Sequence, residues 1–260
     1  MDRFFSTLQA LAPVLQAADS LSPKLDELLF GEVCECTGEF GKYYKVRHLW
    51  NGCDGFIQRN QLVPVDEEYA AAFSSGKWER LFAPAAAVEN ERSGIRYTIS
   101  AGSVLAGLQD NRFGLAGETF SLVSPLPNRV PARIPDIIRD SVLLFLNVPE
   151  VQGGRSIMGM DPAGLCRQVF AFAGIRLSPG LGAMAAEGTH VDFVHELRCG
   201  DIAFFSDAEG EIVHAGIGID DGWVIHTDGK VKSGRLDQQG LYDPKENRYI
   251  YQLRLIKRYF

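Results

Sequence analysis

The chain holds 260 residues, 46% of them hydrophobic and 23% charged, a composition of ordinary globular proteins and a length for two or three small domains or one large one. A net charge of −7 argues against nucleic acid or an anionic membrane surface as partner, and no run of about 18 apolar residues is present to cross a bilayer. The five cysteines, an odd number, suggest no disulfide framework.

The opening stretch, MDRFFSTLQALAPVLQAADSL, lacks a basic segment followed by an unbroken apolar one. No signal peptide is read, and the chain is expected in the cytoplasm, or in the periplasm or cell envelope if it is a mature form. Residues 1–125 then look β-rich. Strand signals fall at Ala12–Gln16, Leu28–Val33, Tyr43–Leu49 and Gly55–Ile57, with turn chemistry at Thr37–Gly41 and Asn51–Asp54. Short strands at this spacing predict a small barrel over residues 1–65. Cys34, Cys36 and Cys53, with His48 nearby, lack the Cys-x-x-Cys knuckles of structural zinc and are read as buried barrel cysteines, so no metal is expected.

Residues 66–84 read as a polar connection containing a short helix, Asp66–Phe73. A second β-rich stretch, 85–125, carries Tyr97–Ile99, Ser103–Leu108 and Phe113–Leu122 between glycines and suggests a second barrel. Ser124–Pro135 holds four prolines and reads as a linker, and Ile134–Leu146 as an amphipathic helix.

The most informative stretch is Gly153–Cys166, GGRSIMGMDPAGLC. Asp161 is a good N-cap, and Pro162 suits the first helical position, where a missing N–H costs nothing. Leu165, Val169 and Phe172 continue as an apolar stripe, and Gly174 suits the C-terminus, so Asp161–Ala173 is predicted to be a buried helix. Further on, Gly200-Asp201 opens an apolar strand. EIVHAGIGI (211–219) and GWVIHTDGKV (222–231) each place one histidine inside an alternating strand around the turn signal Asp220-Asp221-Gly222. A two-residue loop would send His214 and His226 to opposite faces, whereas an odd loop or one bulge puts both on one face. The second arrangement is predicted, with both rings aimed at the start of the Asp161 helix.

These motifs resemble the NlpC family of cell-wall cysteine endopeptidases. In that family an aromatic-x-Trp-Gly-Gly segment precedes Gly-x-Asp-Cys-Ser-Gly-Leu at a helix start. Here Gly153, Gly154, Gly159, Asp161, Gly164 and Leu165 match, while the aromatic is Glu150, the Trp is Gln152, the nucleophilic Cys is Pro162 and the following Ser is Ala163. Gly200-Asp201-Ile202-Ala203-Phe204-Phe205 matches the family's Gly-Asp-x-x-Phe-Phe strand. The resemblance implies an α+β fold: a papain-like NlpC-type domain over 126–260, with helices packed on an antiparallel sheet, preceded by one or two bacterial SH3-like barrels. It makes His214 the vestigial base and His226 its orienting partner, and it gives Arg155, Ser156, Asp161, Glu150 and Gln152 as peptide-binding candidates. No cofactor is implied.

A proline has no side-chain nucleophile, so the expected function is a catalytically inactive homologue that binds a murein peptide or a protein partner. Two alternatives are carried. One is an active endopeptidase cutting γ-D-glutamyl bonds with Cys166 as relocated nucleophile, although that thiol lies about 6 Å further along the helix and inside its apolar stripe. The other is a scaffold acting through its barrels.

Overall fold

A computed structural model describes residues 3–126 and 132–260, so part of the expected Ser124–Pro135 linker lies outside the described residues. The chain divides into two compact units, Met1–Val130 with Gln152–Ile157, and Pro131–Val151 with Met158–Phe260.

The first unit begins with β1 (Phe4–Ser6), β2 (Leu11–Leu15), β3 (Lys24–Leu29), β4 (Cys34–Phe40), β5 (Tyr43–His48), β6 (Asp54–Gln58) and β7 (Val63–Val65). They form one sheet in the order β3-β2-β6-β5-β4-β1-β7, antiparallel throughout. Phe5, Val14, Leu28, Val46 and Ile57 alternate inward to make its core, with Cys34 and Cys53 buried among them. The expected turn at Thr37–Gly41 is instead the end of β4. Its register against β5 slips between Cys36 and Gly38, so the glycine and threonine sit at a bulge inside the strand.

Helix α1 (Glu67–Ser74) starts where Asp66 accepts the Tyr69 N–H at 2.7 Å, and it buries Ala70 and Phe73. Beyond it come β8 (Glu79–Arg80), β9 (Ala85–Asn90), β10 (Arg96–Ser100), β11 (Val104–Leu105), β12 (Arg112–Leu115) and β13 (Glu118–Leu122). A four-stranded sheet β10-β9-β13-β12 and the pair β11-β8 enclose a second core around Phe30, whose ring meets Phe113 and Phe120 edge-on at 6.1 and 5.5 Å. Much later in the chain, β14 (Arg155–Ser156) belongs to this unit as well.

The second unit opens with α2 (Ile134–Leu143), shorter than predicted, then β15 (Gly159–Met160), α3 (Pro162–Phe172), α4 (Leu181–Ala186) and β16 (Thr189–Val191). The remaining strands are β17 (Ile202–Ser206), β18 (Ile212–Gly218), β19 (Trp223–Asp228), β20 (Lys230–Leu236), β21 (Gly240–Asp243) and β22 (Arg248–Arg258). Their order is β16-β22-β17-β18-β19-β20-β21, and β22 also pairs with β21. The 11-residue β22 bonds β21 with its first half and β17 with the remainder, so the six strands β17–β22 close into a barrel. Helix α3 packs on β18 and β19, and α2 packs on α3.

Candidate functional site

The start of α3 forms as its sequence predicts. Asp161 Oδ1 accepts the Gly164 N–H at 2.6 Å, and Pro162 occupies the first helical turn. Gly174 follows the helix with φ +73°, the left-handed conformation suited to a C-terminal cap. Cys166 lies one turn in, fully buried beside Leu165, Val169 and Phe170. Burial, reinforced by Asp161, pushes its thiol up to about 12, so it carries no thiolate at neutral pH.

The two strand histidines meet. Ile219 and Trp223 close the β18–β19 hairpin with N–H donors to each other's side of the turn (Ile219 N to Trp223 O, 2.9 Å; Trp223 N to Asp220 O, 3.0 Å), leaving a loop of odd length. Asp221 and Gly222 adopt φ +53° and +74° within it. Gly216 therefore stands opposite His226, and His214, two residues earlier on the same face, reaches it diagonally. The rings approach through His214 Nε2 and His226 Nδ1 at 3.2 Å. Tyr251 of β22 stacks flat on His214, with centroids 3.9 Å apart and planes 9° off parallel. Both histidines are buried, at 2% and 0% exposure.

Burial holds both rings in their neutral form. Loss of hydration, then the neighbouring His226, pulls His214 down to about 3; loss of hydration, then Lys232, pulls His226 down to about 4. His226 Nε2 has no hydrogen-bond partner and faces Gly234, where an added Cβ would lie 3.3 Å from it. Two neutral imidazoles can donate and accept hydrogen bonds, but among the described residues no accessible thiol is found with them.

The other motif residues take structural positions. Gly153, at φ +67°, passes so close to β3 that a Cβ would sit 2.3 Å from the Lys24 carbonyl oxygen, which requires glycine. Arg155 follows, 3% exposed, with its guanidinium among the carboxylates of the first unit. Its Nε donates to Asp26 at 2.9 Å and to the Glu27 carbonyl at 3.0 Å; its Nη atoms pair with Glu32, and its backbone N–H donates to the Glu27 carboxylate. Glu32 is also held by Arg80 at 2.9 Å and Glu27 by Lys24 at 2.6 Å. The Trp50 N–H donates to His48 Nδ1, and His48 Nε2 lies 3.1 Å from both Glu32 Oε2 and Arg155 Nη2. Burial alone would raise Glu32, but Arg155, His48 and Arg80 outweigh it and hold the carboxyl well below the usual range. The fork of Arg155 is thus taken up by acids of its own unit, the donors that the resemblance would assign to a peptide. Ser156 is also fully buried.

Glu150 caps a turn: its carboxylate accepts the Gly229 N–H at 2.7 Å, and its own N–H donates to the Gly229 carbonyl. Gln152 is exposed and belongs to the first unit, while Glu150, Asp161, Pro162 and the two histidines belong to the second. Asp201 accepts both Arg258 Nε and Nη2 at 2.7 Å and the Arg198 N–H at 2.7 Å, and Phe204 and Phe205 are core residues. No group of three His, Cys, Asp or Glu side chains able to hold a metal ion occurs among the described residues. Sequence reasoning missed Tyr251, which lies in an unrecognised strand, and missed the acids around Arg155. The only signal for the latter was the buried-strand spacing of Asp26 and Glu27 before an apolar run.

Residues 148–250 match the family model described as NlpC/P60 family. A Bacillus cereus (strain ATCC 10987 / NRS 248) protein named gamma-D-glutamyl-L-lysine dipeptidyl-peptidase is 29% identical over 102 residues, 38% of this chain and 30% of that protein. The matched stretch therefore spans less than a third of that relative. Among solved structures, an NlpC/P60 family protein from Bacillus cereus ATCC 10987 superposes with a TM-score of 0.80 at 20% identity, covering 98% of this chain and 99% of that one. An NlpC/P60 endopeptidase from Photobacterium damselae subsp. piscicida gives 0.68 at 12% identity, covering 98% and 70%. At such identities the likeness concerns the fold, and over residues 148–250 the chain is similar to the NlpC/P60 family model.

Proposed function

We propose that the second unit is a non-hydrolysing NlpC/P60 domain that binds a murein peptide containing a γ-D-glutamyl linkage. The observation that carries this reading is Pro162, an imino acid in the first turn of α3, at the position where the sequence resemblance would set the nucleophile. The neighbouring thiol does not replace it, because Cys166 is sealed in the core with its proton held. The meeting of His214 and His226 at 3.2 Å supports a retained ligand site, and the name of the matched Bacillus cereus protein supplies the linkage. In the same reading the β-modules of the first unit are SH3-like barrels that add wall contacts, and the helices and barrel of the second are a variant of the papain-like arrangement.

Calorimetry with L-Ala-γ-D-Glu-L-Lys and with the diaminopimelate form tests binding, and mass spectrometry of the same mixtures tests cleavage. Heat of binding without product is the expected result. Absence of heat at millimolar peptide refutes the binding claim, and turnover lost on Cys166→Ala refutes the claim of inactivity.

A further inference from the structure

We propose that Tyr251 is the positioning residue of the histidine pair: its ring holds the His214 imidazole in the plane in which His214 meets His226. The inference concerns the pair itself and stands apart from the peptide-binding reading above.

A histidine ring is loosely fixed by its own covalent structure. Its outer torsion joins a tetrahedral carbon to a flat ring and has a broad minimum. The contact with His226, 3.2 Å between His214 Nε2 and His226 Nδ1, pins one atom of the His214 ring. The two rings stand 83° apart, so that contact alone lets His214 turn about the nitrogen it offers. Phe205, opposite His214 on β17, is tilted by 41° with its centroid 5.8 Å away and leaves the same freedom. Tyr251 removes it. Its ring lies 3.9 Å from the imidazole and 9° from parallel, so a turn of His214 out of this plane drives one edge into the phenol. A side chain locked by packing in this way keeps its hydrogen-bond geometry without further help.

Tyr251 is in turn set by its backbone. Across the β21–β22 pair, Leu241 faces Tyr251 and Tyr242 faces Tyr249, so Ile250 is the extra residue of a bulge beside Tyr251. Next to Leu241, Gly240 stands at φ +146°, and a Cβ there would collide with the Tyr251 carbonyl oxygen. Glycine at 240 therefore lets β21 close on β22 at the residue that carries the ring. Tyr251 is half-buried, whereas the two histidines behind it are 2% and 0% exposed. Its hydroxyl makes no hydrogen bond among the described residues, so what the side chain gives the pair is its ring face.

Nitrogen NMR of the uniformly labelled, full, ligand-free chain reads the pair. A nitrogen–nitrogen coupling across the His214–His226 hydrogen bond appears whichever ring donates, and it fades once His214 turns away. The coupling is expected in the wild-type protein and in Tyr251→Phe, which keeps the ring. It is expected to be lost in Tyr251→Leu, with the His214 signals doubled or broadened while the backbone amide spectrum shows β21 and β22 still paired. A Tyr251→Leu protein that keeps both fold and coupling overturns the proposal, because the ring is then filler alone. Absence of the coupling in the wild-type protein, or its loss in Tyr251→Phe, overturns it as well. If Tyr251→Leu does not fold, the wild-type and Tyr251→Phe proteins decide. Both must show His214 ring protons shifted upfield by the stacked ring and cross-relaxation between the two rings, and failure of either signature refutes the assignment.

Discussion

Replacing Arg155 by methionine keeps most of its volume and removes its charge from a group of acids that are 0–1% exposed: Asp26, Glu27 and Glu32. In the native unit those three carboxylates face Arg155, Arg80 and Lys24. The variant leaves one buried negative charge without a counterpart. Each charge pair at about 4 Å is worth about 4 kcal/mol at an effective dielectric of about 20, and Arg155 makes two, to Asp26 and Glu32. The guanidinium no longer has to be desolvated, which returns several kcal/mol, so the net loss is about 3–5 kcal/mol, the usual cost of orphaning a buried charge.

The pH dependence carries the sign. Glu32 is depressed in the folded state, so its contribution is present above its unfolded value of about 4.3 and is lost as pH falls through the folded value. Without Arg155 the folded-state carboxyls rise and take up protons earlier. The difference between Arg155→Met and the parent is therefore largest at pH 7 and shrinks toward pH 5. Urea unfolding followed by fluorescence measures it: in a Trp223→Phe background the remaining tryptophans, Trp50 and Trp78, both report on the first unit. A loss below about 1 kcal/mol at pH 7, or one that does not diminish on acidification, refutes the reasoning.

Pro162→Cys places a thiol at the half-buried start of α3, where the helix dipole favours the thiolate; its iodoacetamide reaction is expected to follow a pKa below the usual value of about 8.5, while Cys166 stays unmodified until the protein is denatured. Asp161→Ala removes the 2.6 Å bond to the Gly164 N–H and should cost about 1 kcal/mol in the same urea experiment, read through Trp223 with Trp50 and Trp78 replaced. His214 and His226 sit at about 3 and about 4 when folded against about 6.5 unfolded, so each withdraws stability as pH falls below about 6.5, by about 1.4 kcal/mol per pH unit, and NMR should find both rings neutral at pH 5.5. Gly234→Ala puts a methyl 2.9 Å from Leu241 Cδ1 and 3.3 Å from His226 Nε2, so it should disturb the His226 signals and lower the stability of the second unit without altering the first.

Local chemistry was readable where it acts within a few residues. The Asp66 and Asp161 caps placed α1 and α3 to within a residue, and the turn at Asp220–Gly222 was enough to argue that two histidines share a face. Elements without a local signal were not readable. Phe4–Ser6 is a three-residue strand among polar neighbours, and Ala85–Asn90 is rich in alanine, a poor strand former. The bulge at Gly38 looked like a turn because glycine and threonine serve both. Closure of the β17–β22 barrel depends on pairing between Gly240 and Gln252, across a bulge and a glycine at φ +146°. The setting of Arg155 was hidden for a related reason: its acids lie up to 129 residues away, so its sequence neighbours said nothing of them.

The distance between Arg155 and its acids also sets an order of assembly. Glu27 leaves the ribosome 128 residues before the arginine that neutralises this group, about 10 seconds earlier at ordinary elongation rates. During that interval the nascent N-terminal strands carry a surplus of negative charge that their hydrophobic surroundings resist enclosing. Maturation of this half of the protein therefore waits on a hexapeptide synthesised after it, and a chain truncated before residue 152 is expected to be a poor folder however complete its strands.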